Sequence, residues 1–366
     1  MLMARRNLGR DRTRLLLNIA GVALAILLIL LLTGIREGMF RQITSYLDRT
    51  PGSLLVSQGG VENLLSVTSL LPAGATARVQ GTRGVESVIP ILSQYTILDL
   101  HGRKQAAYLI GYVPARGGGP WRLAAGRAPR ADDEAVFDRV LAERHDLALG
   151  DRVDVMGRTL EVVGLSEGTT SWMTSFFFLR KSAVESLVRL PGATSFLLVT
   201  TDEGASVDDV RSRLASLDGV DVHTKGEIAA NDRKLFARYF SAPVTLMAAI
   251  AALVGALVVG LVIYTATVER ERDFGVLKAI GAPNRSLYLV VVAQSLIASL
   301  GGVVAGSVLA IGARAGIMAL RPQFLIVLEP ADFVLALVVG LGIAMVAGLY
   351  PARRIGGLAP AEVFRR

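Results

Sequence analysis

The sequence predicts a membrane protein of four transmembrane α-helices, with a large α+β extracytoplasmic domain inserted between helices 1 and 2. Three observations carry this prediction. Four stretches of 21, 28, 28 and 20 residues contain no charged side chain, and a helix needs about 20 apolar residues to cross the hydrocarbon core. The net charge of +8 falls entirely on segments that four spans place on one side of the membrane. The long segment between the first two stretches is charge-balanced and mixes strand and helix patterning. Composition agrees: 52% hydrophobic and 19% charged residues, with a mean hydropathy of +0.50, exclude a disordered chain and an ordinary water-soluble enzyme. The absence of cysteine excludes disulfide frameworks, thiolate metal sites and cysteine nucleophiles. His101, His145 and His223 lie far apart and leave little for a metal, and none is expected.

Residues 1–14 form a cytoplasmic N-terminal segment carrying Arg5, Arg6, Arg10, Arg12 and Arg14. Residues 15–35 form the first span; the run is too long for a signal peptide and no small-residue cleavage site follows it, so it reads as an uncleaved anchor. Residues 36–240 form the extracytoplasmic domain, with 24 basic and 24 acidic residues. There, residues 53–57 read as a strand, and 87–99 with 104–113 as a hairpin around His101-Gly102. Residues 133–145 have helical spacing, with Asp132 or Asp133 as cap. Residues 152–156 and 159–164 read as a second hairpin around Gly157. Strands are expected at 175–179 and 195–201, and helices at 182–188, at 207–217 opening near Ser206, and at 227–240 running into the second span. Asp132-Asp133-Glu134 could hold a cation, but acids at a helix start are stabilised by the dipole, and that reading is favoured. In Ser171–Phe178 the phenylalanines read as core, while Trp172 and Met173 stay open.

Span 2 is 241–268 and span 3 is 286–313, joined by a cytoplasmic loop at 269–285. A short extracytoplasmic loop at 314–332 leads to span 4 at 333–352 and a cytoplasmic tail at 353–366. The cytoplasmic segments together hold 13 basic residues against Asp11, Glu269, Glu271, Asp273 and Glu362, the positive-inside pattern. The high pI is thus topology and argues against nucleic acid. Both termini are expected in the cytoplasm of a bacterium, with the lipid bilayer as surroundings.

No span contains an ionisable residue; Asn18, Tyr264 and Gln294 are the main polar ones. A path for a polar solute usually shows intramembrane charge. Small residues recur four apart instead: Ala252, Ala256 and Gly260; Gly302 and Gly306; Gly340, Ala344 and Gly348. Such spacing allows close helix packing and dimerisation, with the division of contacts within and between chains left open.

The loop Glu269-Arg270-Glu271-Arg272-Asp273-Phe274-Gly275-Val276-Leu277-Lys278 continues span 2 as an amphipathic helix, with Phe274 and Leu277 on one stripe, before Gly281 and Pro283 stop it. Docking into a groove of a soluble protein and simple anchoring at the headgroups both remain open from these residues alone.

This loop resembles the cytoplasmic coupling segment of the MacB/FtsX-like ABC transporter permeases, which include the LolC and LolE subunits. The tail Tyr350-Pro351-Ala352-Arg353-Arg354 with Pro360 and Glu362 is similar to that family's ending. So are Arg5-Arg6-Asn7-Leu8, Ala125-Gly126-Arg127, Gly150-Asp151-Arg152-Val153 and Val162-Val163-Gly164-Leu165. The resemblance implies a non-catalytic permease subunit that couples ATP hydrolysis by a separate ABC ATPase to movement of its outer domain. It implies that Glu269 to Lys278 meet the ATPase, with Pro351, Arg353, Arg354, Pro360 and Glu362 adding cytoplasmic contacts. ATP and Mg would be bound by the partner chain, and no cofactor by this one, since no phosphate-loop motif occurs. The expected assembly is a homodimer or a heterodimer with a paralogue, and a periplasmic or outer-membrane partner is left open. The output is export, extraction or release of a hydrophobic or extracytoplasmic substrate. The alternative is an FtsX-like transducer that activates a cell-wall hydrolase and transports nothing. A membrane-tethered enzyme is the weakest reading, for want of a catalytic constellation.

Overall fold

The computed structural model describes residues 12–65, 67–170, 174–269 and 283–357. Among these, the backbone divides into two units. The helical unit takes the chain up to Gly38, Tyr239–Arg321 and the chain from Ile326; the sheet unit takes Met39–Arg238 and Pro322–Leu325. Among the described residues, four helices are long and apolar enough to cross a membrane. They are α1 (Arg12–Arg49), α6 (Lys225–Glu269), α7 (Asn284–Leu320) and α8 (Pro330–Gly357). Helices α1 and α6 are longer than the expected spans of 15–35 and 241–268, because the same helix continues past the apolar run into polar sequence.

The sheet unit is built on strands β1 (Leu54–Gln58), β2 (Val85–Leu100), β3 (Arg103–Tyr112), β4 (Leu123–Gly126) and β5 (Glu134–Asp138). The remaining strands are β6 (Arg152–Val155), β7 (Arg158–Ser166), β8 (Ser175–Arg180), β9 (Phe196–Thr201) and β10 (Val220–Thr224). Their order is β10-β1-β9-β2-β3-β8-β5-β7-β4, with β6 on β7. The sheet is mixed: β3 with β8 and β5 with β7 run parallel, and the other pairs antiparallel. The 16-residue β2 belongs to two halves, pairing β9 through its first part and β3 from Leu92 onward.

Both faces of the central strands are covered, which explains their continuous apolar runs. Alternation then sorts neighbours. Leu54, Val56, Leu197 and Val199 turn to one face, under the short helices α2 (Ala75–Gln80) and α5 (Val207–Ala215). Leu55, Phe196, Leu198, Phe176 and Phe178 turn to the other, against Tyr46 and Leu47 of α1 and Ile228 of α6. Phe177 joins Phe137, Leu109 and Val184 in a third cluster, under α4 (Lys181–Val188). Burying each such ring stabilises the unit by roughly 1.5–3 kcal/mol.

Both expected hairpins form, on matching chemistry. His101 and Gly102 have φ of 53° and 76°, and Met156 and Gly157 of 54° and 80°. Two-residue turns with two positive φ values suit the strand twist. In each, the glycine N–H donates to an aspartate three residues earlier, Asp99 or Asp154, at 2.9 Å.

The expected helix over 133–145 is a correction. Residues 134–138 form β5, and only Arg139–Arg144 is helical, α3. Asp138, not Asp132 or Asp133, caps it, accepting from Val140 N and Leu141 N. Periodicity misled because β5 lies between β7 and β8 with Ala135, Val136, Phe137 and Asp138 all buried. Strands β4 and β10 and helix α2 were not anticipated. Ser206 does cap α5, accepting from Asp209 N.

Candidate functional site

Most of the sequence-predicted coupling residues lie outside the described residues. These are Arg270, Glu271, Arg272, Asp273, Phe274, Gly275, Val276, Leu277, Lys278 and Gly281, together with Pro360, Glu362, Trp172 and Met173. What is described is the frame around the segment. Helix α6 reaches Glu269 without a break, and Pro283, in extended conformation, caps the start of α7. Pro351, Arg353 and Arg354 are carried on α8.

The small residues divide by what stands opposite. A Cβ added at Gly302 would meet Val22 Cβ at 2.4 Å, and one at Gly306 would meet Ala23 O at 2.6 Å. At Gly340 it would meet Val303 Cγ2 at 2.4 Å, beside the buried Ser299, whose Oγ donates to Gly340 O. Helices α1 and α7, and α7 and α8, therefore approach as only glycine allows. Ala344 is buried. Gly260 has only ordinary contact with Ala347, at 3.7 Å. Ala252 and Ala256 are half-buried, and Gly348 sits on α8. Two close approaches were not singled out from the sequence: Gly21 against Val258 at 2.9 Å and Gly255 against Ala25 at 2.7 Å. Their signal was present, since Gly21 and Ala25 are also four apart on α1.

Several titratable groups in the sheet unit are committed to structure. Glu134 accepts from both Arg127 nitrogens, at 2.6 and 2.7 Å, and from Arg130 N at 2.6 Å. The guanidinium, then the amides of Arg130 and Ala131, hold its carboxyl at about 2 against the opposing effect of burial. Asp132 accepts from Ser182 Oγ at 2.6 Å and Asp133 O accepts from Glu161 N at 2.7 Å. The carboxylates of Asp132 and Glu134 thus turn to different partners, and Glu134 lies in a strand, so the dipole explanation for the run is also corrected. Asp138 is fully buried and binds Thr169 Oγ1 at 2.6 Å as well as its capped helix. Burial raises its carboxyl despite these donors.

Gly164-Leu165-Ser166-Glu167-Gly168 spells G-x-S-x-G. That motif needs an exposed serine on a strand-to-helix turn. Here Ser166 is fully buried at the end of β7, its Oγ lying 2.6 Å from Thr169 Oγ1 and donating to Phe137 O. Its hydroxyl is committed to closing a loop.

At the roots of the two long helices, Lys225 Nζ donates to Thr50 O and Lys225 N to Ser53 O. Half-burial lowers the Lys225 ammonium's pKa, partly offset by Asp48. A cation on the carbonyls ending α1 is favourably placed toward its dipole. Tyr46 OH donates to Gly118 O at 2.7 Å, fixing α1 to the sheet unit's 113–118 loop.

Comparison with known proteins covers nearly the whole chain. Residues 15–217 match the MacB-like periplasmic core domain, and residues 245–360 match the FtsX-like permease C-terminal domain. A Mycobacterium tuberculosis protein named as an uncharacterized ABC transporter permease is 29% identical over 381 residues, covering 99% of this chain and 98% of its own. The macrolide export ATP-binding/permease protein MacB of Sodalis glossinidius is 24% identical over 396 residues, covering 98% of this chain and 59% of the relative. Among solved structures, the periplasmic region of MacB from Actinobacillus actinomycetemcomitans is similar, with a TM-score of 0.38 and 15% identity over 50% of this chain and 92% of that one. The extracellular domain of the transporter YknZ gives 0.37 and 15%, over 47% and 98%.

Proposed function

The chain belongs to the ABC transporter permeases of the MacB/FtsX type, and on that premise we propose that it is the membrane subunit of a system whose ATPase is a separate chain. The observation that carries this reading is the succession of a MacB-like core and an FtsX-like C-terminal part along one chain with four apolar helices. As a multi-pass inner-membrane permease it contributes no catalytic group. ATP and Mg are bound and hydrolysed by the partner, and Glu269 to Lys278 transmit the resulting movement. The output is export, extraction or release of a hydrophobic or extracytoplasmic substrate, driven by displacement of the sheet unit. The match to the MacB-like core over residues 15–217 supports this output over the purely signalling one.

Uncoupling tests the reading. Phe274→Asp or Leu277→Asp places a charge on the apolar stripe, where docking on a protein groove requires it to be dry. The expected result is a chain that inserts and folds normally but no longer stimulates ATP turnover by its partner. Unchanged stimulation in both variants would overturn the coupling assignment.

A further inference from the structure

The irregular stretch 59–65 leaves β1 and crosses toward α6. Its start is held by short bonds: Ser57 Oγ donates to Val61 O and Gly60 N to Asp221 Oδ2, each at 2.6 Å. Its centre is held differently. Leu64 N and Asn63 Nδ2 donate to the two carboxylate oxygens of Asp232 at 3.3 Å each, and Asn231 Nδ2 donates to Glu62 O at 3.2 Å. From the sheet side, Tyr108 OH donates to Leu64 O at 2.8 Å. The side chains of Leu64 and Leu65 are buried in the main core beneath.

Asp232 is the unusual member. It is fully buried in the sheet-unit part of α6, before the membrane-spanning run. Among the described residues its partners are amides, the Leu64 and Leu65 N–H groups and the Asn63 side chain, and none is a cation. The titratable groups that face it are the hydroxyls of Tyr95 on β2 and Tyr108 on β3, both kept protonated by burial. A buried carboxylate without a counter-charge disfavours its ionised form unless strong donors compensate. The Asn63 and Leu64 bonds are long, at 3.3 Å each, and with the Leu65 N–H they offset the burial only in part.

We propose that Asp232 is a pH-sensitive clasp: its neutral form holds stretch 59–65 against α6, and its ionisation loosens that stretch and the leucines it buries. The sign follows from linkage. The carboxyl sits at about 6 when enclosed, against an ordinary 3.8. Closure is therefore fully stabilised below the ordinary value and weakens as pH rises through about 6. Acidification tightens the clasp; neutral pH prepares it to open.

Hydrogen exchange on the full chain in detergent tests this, read as protection factors so that base catalysis is divided out. Peptides covering 59–65 should lose protection by on the order of a hundredfold between pH 4 and pH 7, the ratio set by the two carboxyl values. Peptides from β9 in the same digest should stay flat. Asp232→Asn should abolish the slope over 59–65. A flat profile over 59–65 in the unaltered chain, or an equal slope in β9, would overturn the proposal even if the variant failed to fold. An undiminished slope in a folded Asp232→Asn protein would overturn it as well.

Discussion

Glu134 shows how one ion pair organises a turn. Arg127 grips its carboxylate with two nitrogens, while the amides of Arg130 and Ala131 close on the same group. Because the folded carboxyl is held at about 2, the stability it contributes is present above its ordinary range and is lost as pH falls toward 2. Replacing Arg127→Ala should return Glu134 toward ordinary values and move the acid end of the unfolding profile to higher pH. Thermal melts of the full chain between pH 3 and pH 7 check this, and superimposable profiles would contradict it. Tyr46→Phe removes the bond to Gly118 O inside the core. It leaves a buried carbonyl short of its donor, an expected loss of about 1–3 kcal/mol readable in the same melts. Ser166→Ala should lower stability modestly and abolish no hydrolytic reaction. At this scale the sequence was informative where chemistry is local. Asp99-x-x-Gly102 and Asp154-x-x-Gly157 announce their turns through the aspartate that binds the glycine amide. The partners of Asp138, Thr169 and Asp232, by contrast, come from residues 31 and about 169 positions away, and no local pattern announces them.

Among the elements, the helical unit yields a graded set of substitutions. Gly302→Ala and Gly340→Ala each force a methyl to within 2.4 Å of a valine on the neighbouring helix. Overpacking of this kind costs typically about 1–3 kcal/mol. Gly312→Ala faces open space and should be neutral or slightly stabilising, since alanine is the better helix former. Thermal unfolding in one detergent distinguishes the two classes, and equal effects would contradict the packing described. The four-residue spacing pointed to Gly302, Gly306 and Gly340 but equally to Gly260, which has room, and it passed over Gly255. Spacing shows what one helix offers; contact depends on what its neighbour presents. The misassigned helix at 133–145 has a related cause. A strand covered on both faces loses its alternation, and Val136, Val140 and Leu141 then imitate a helical stripe.

For the whole molecule, the apolar runs and the charge map gave the four spans and the inserted domain, because the bilayer imposes length and charge rules on any chain. The mixed sheet's order was not legible, since β1 pairs with β9 and β10 across more than 140 residues. Deleting residues 50–230 should leave the ATPase bound and abolish biological output; retained output would contradict movement of the sheet unit as the working step. We propose that a separate ATPase docks on the loop at 269–285. Purifying the tagged chain in mild detergent from its native membrane and identifying what accompanies it decides this. The expected result is a stoichiometric protein with a phosphate-binding loop that is lost with Phe274→Asp. Recovery of the chain with no ATPase, even in the presence of an ATP analogue, would contradict it.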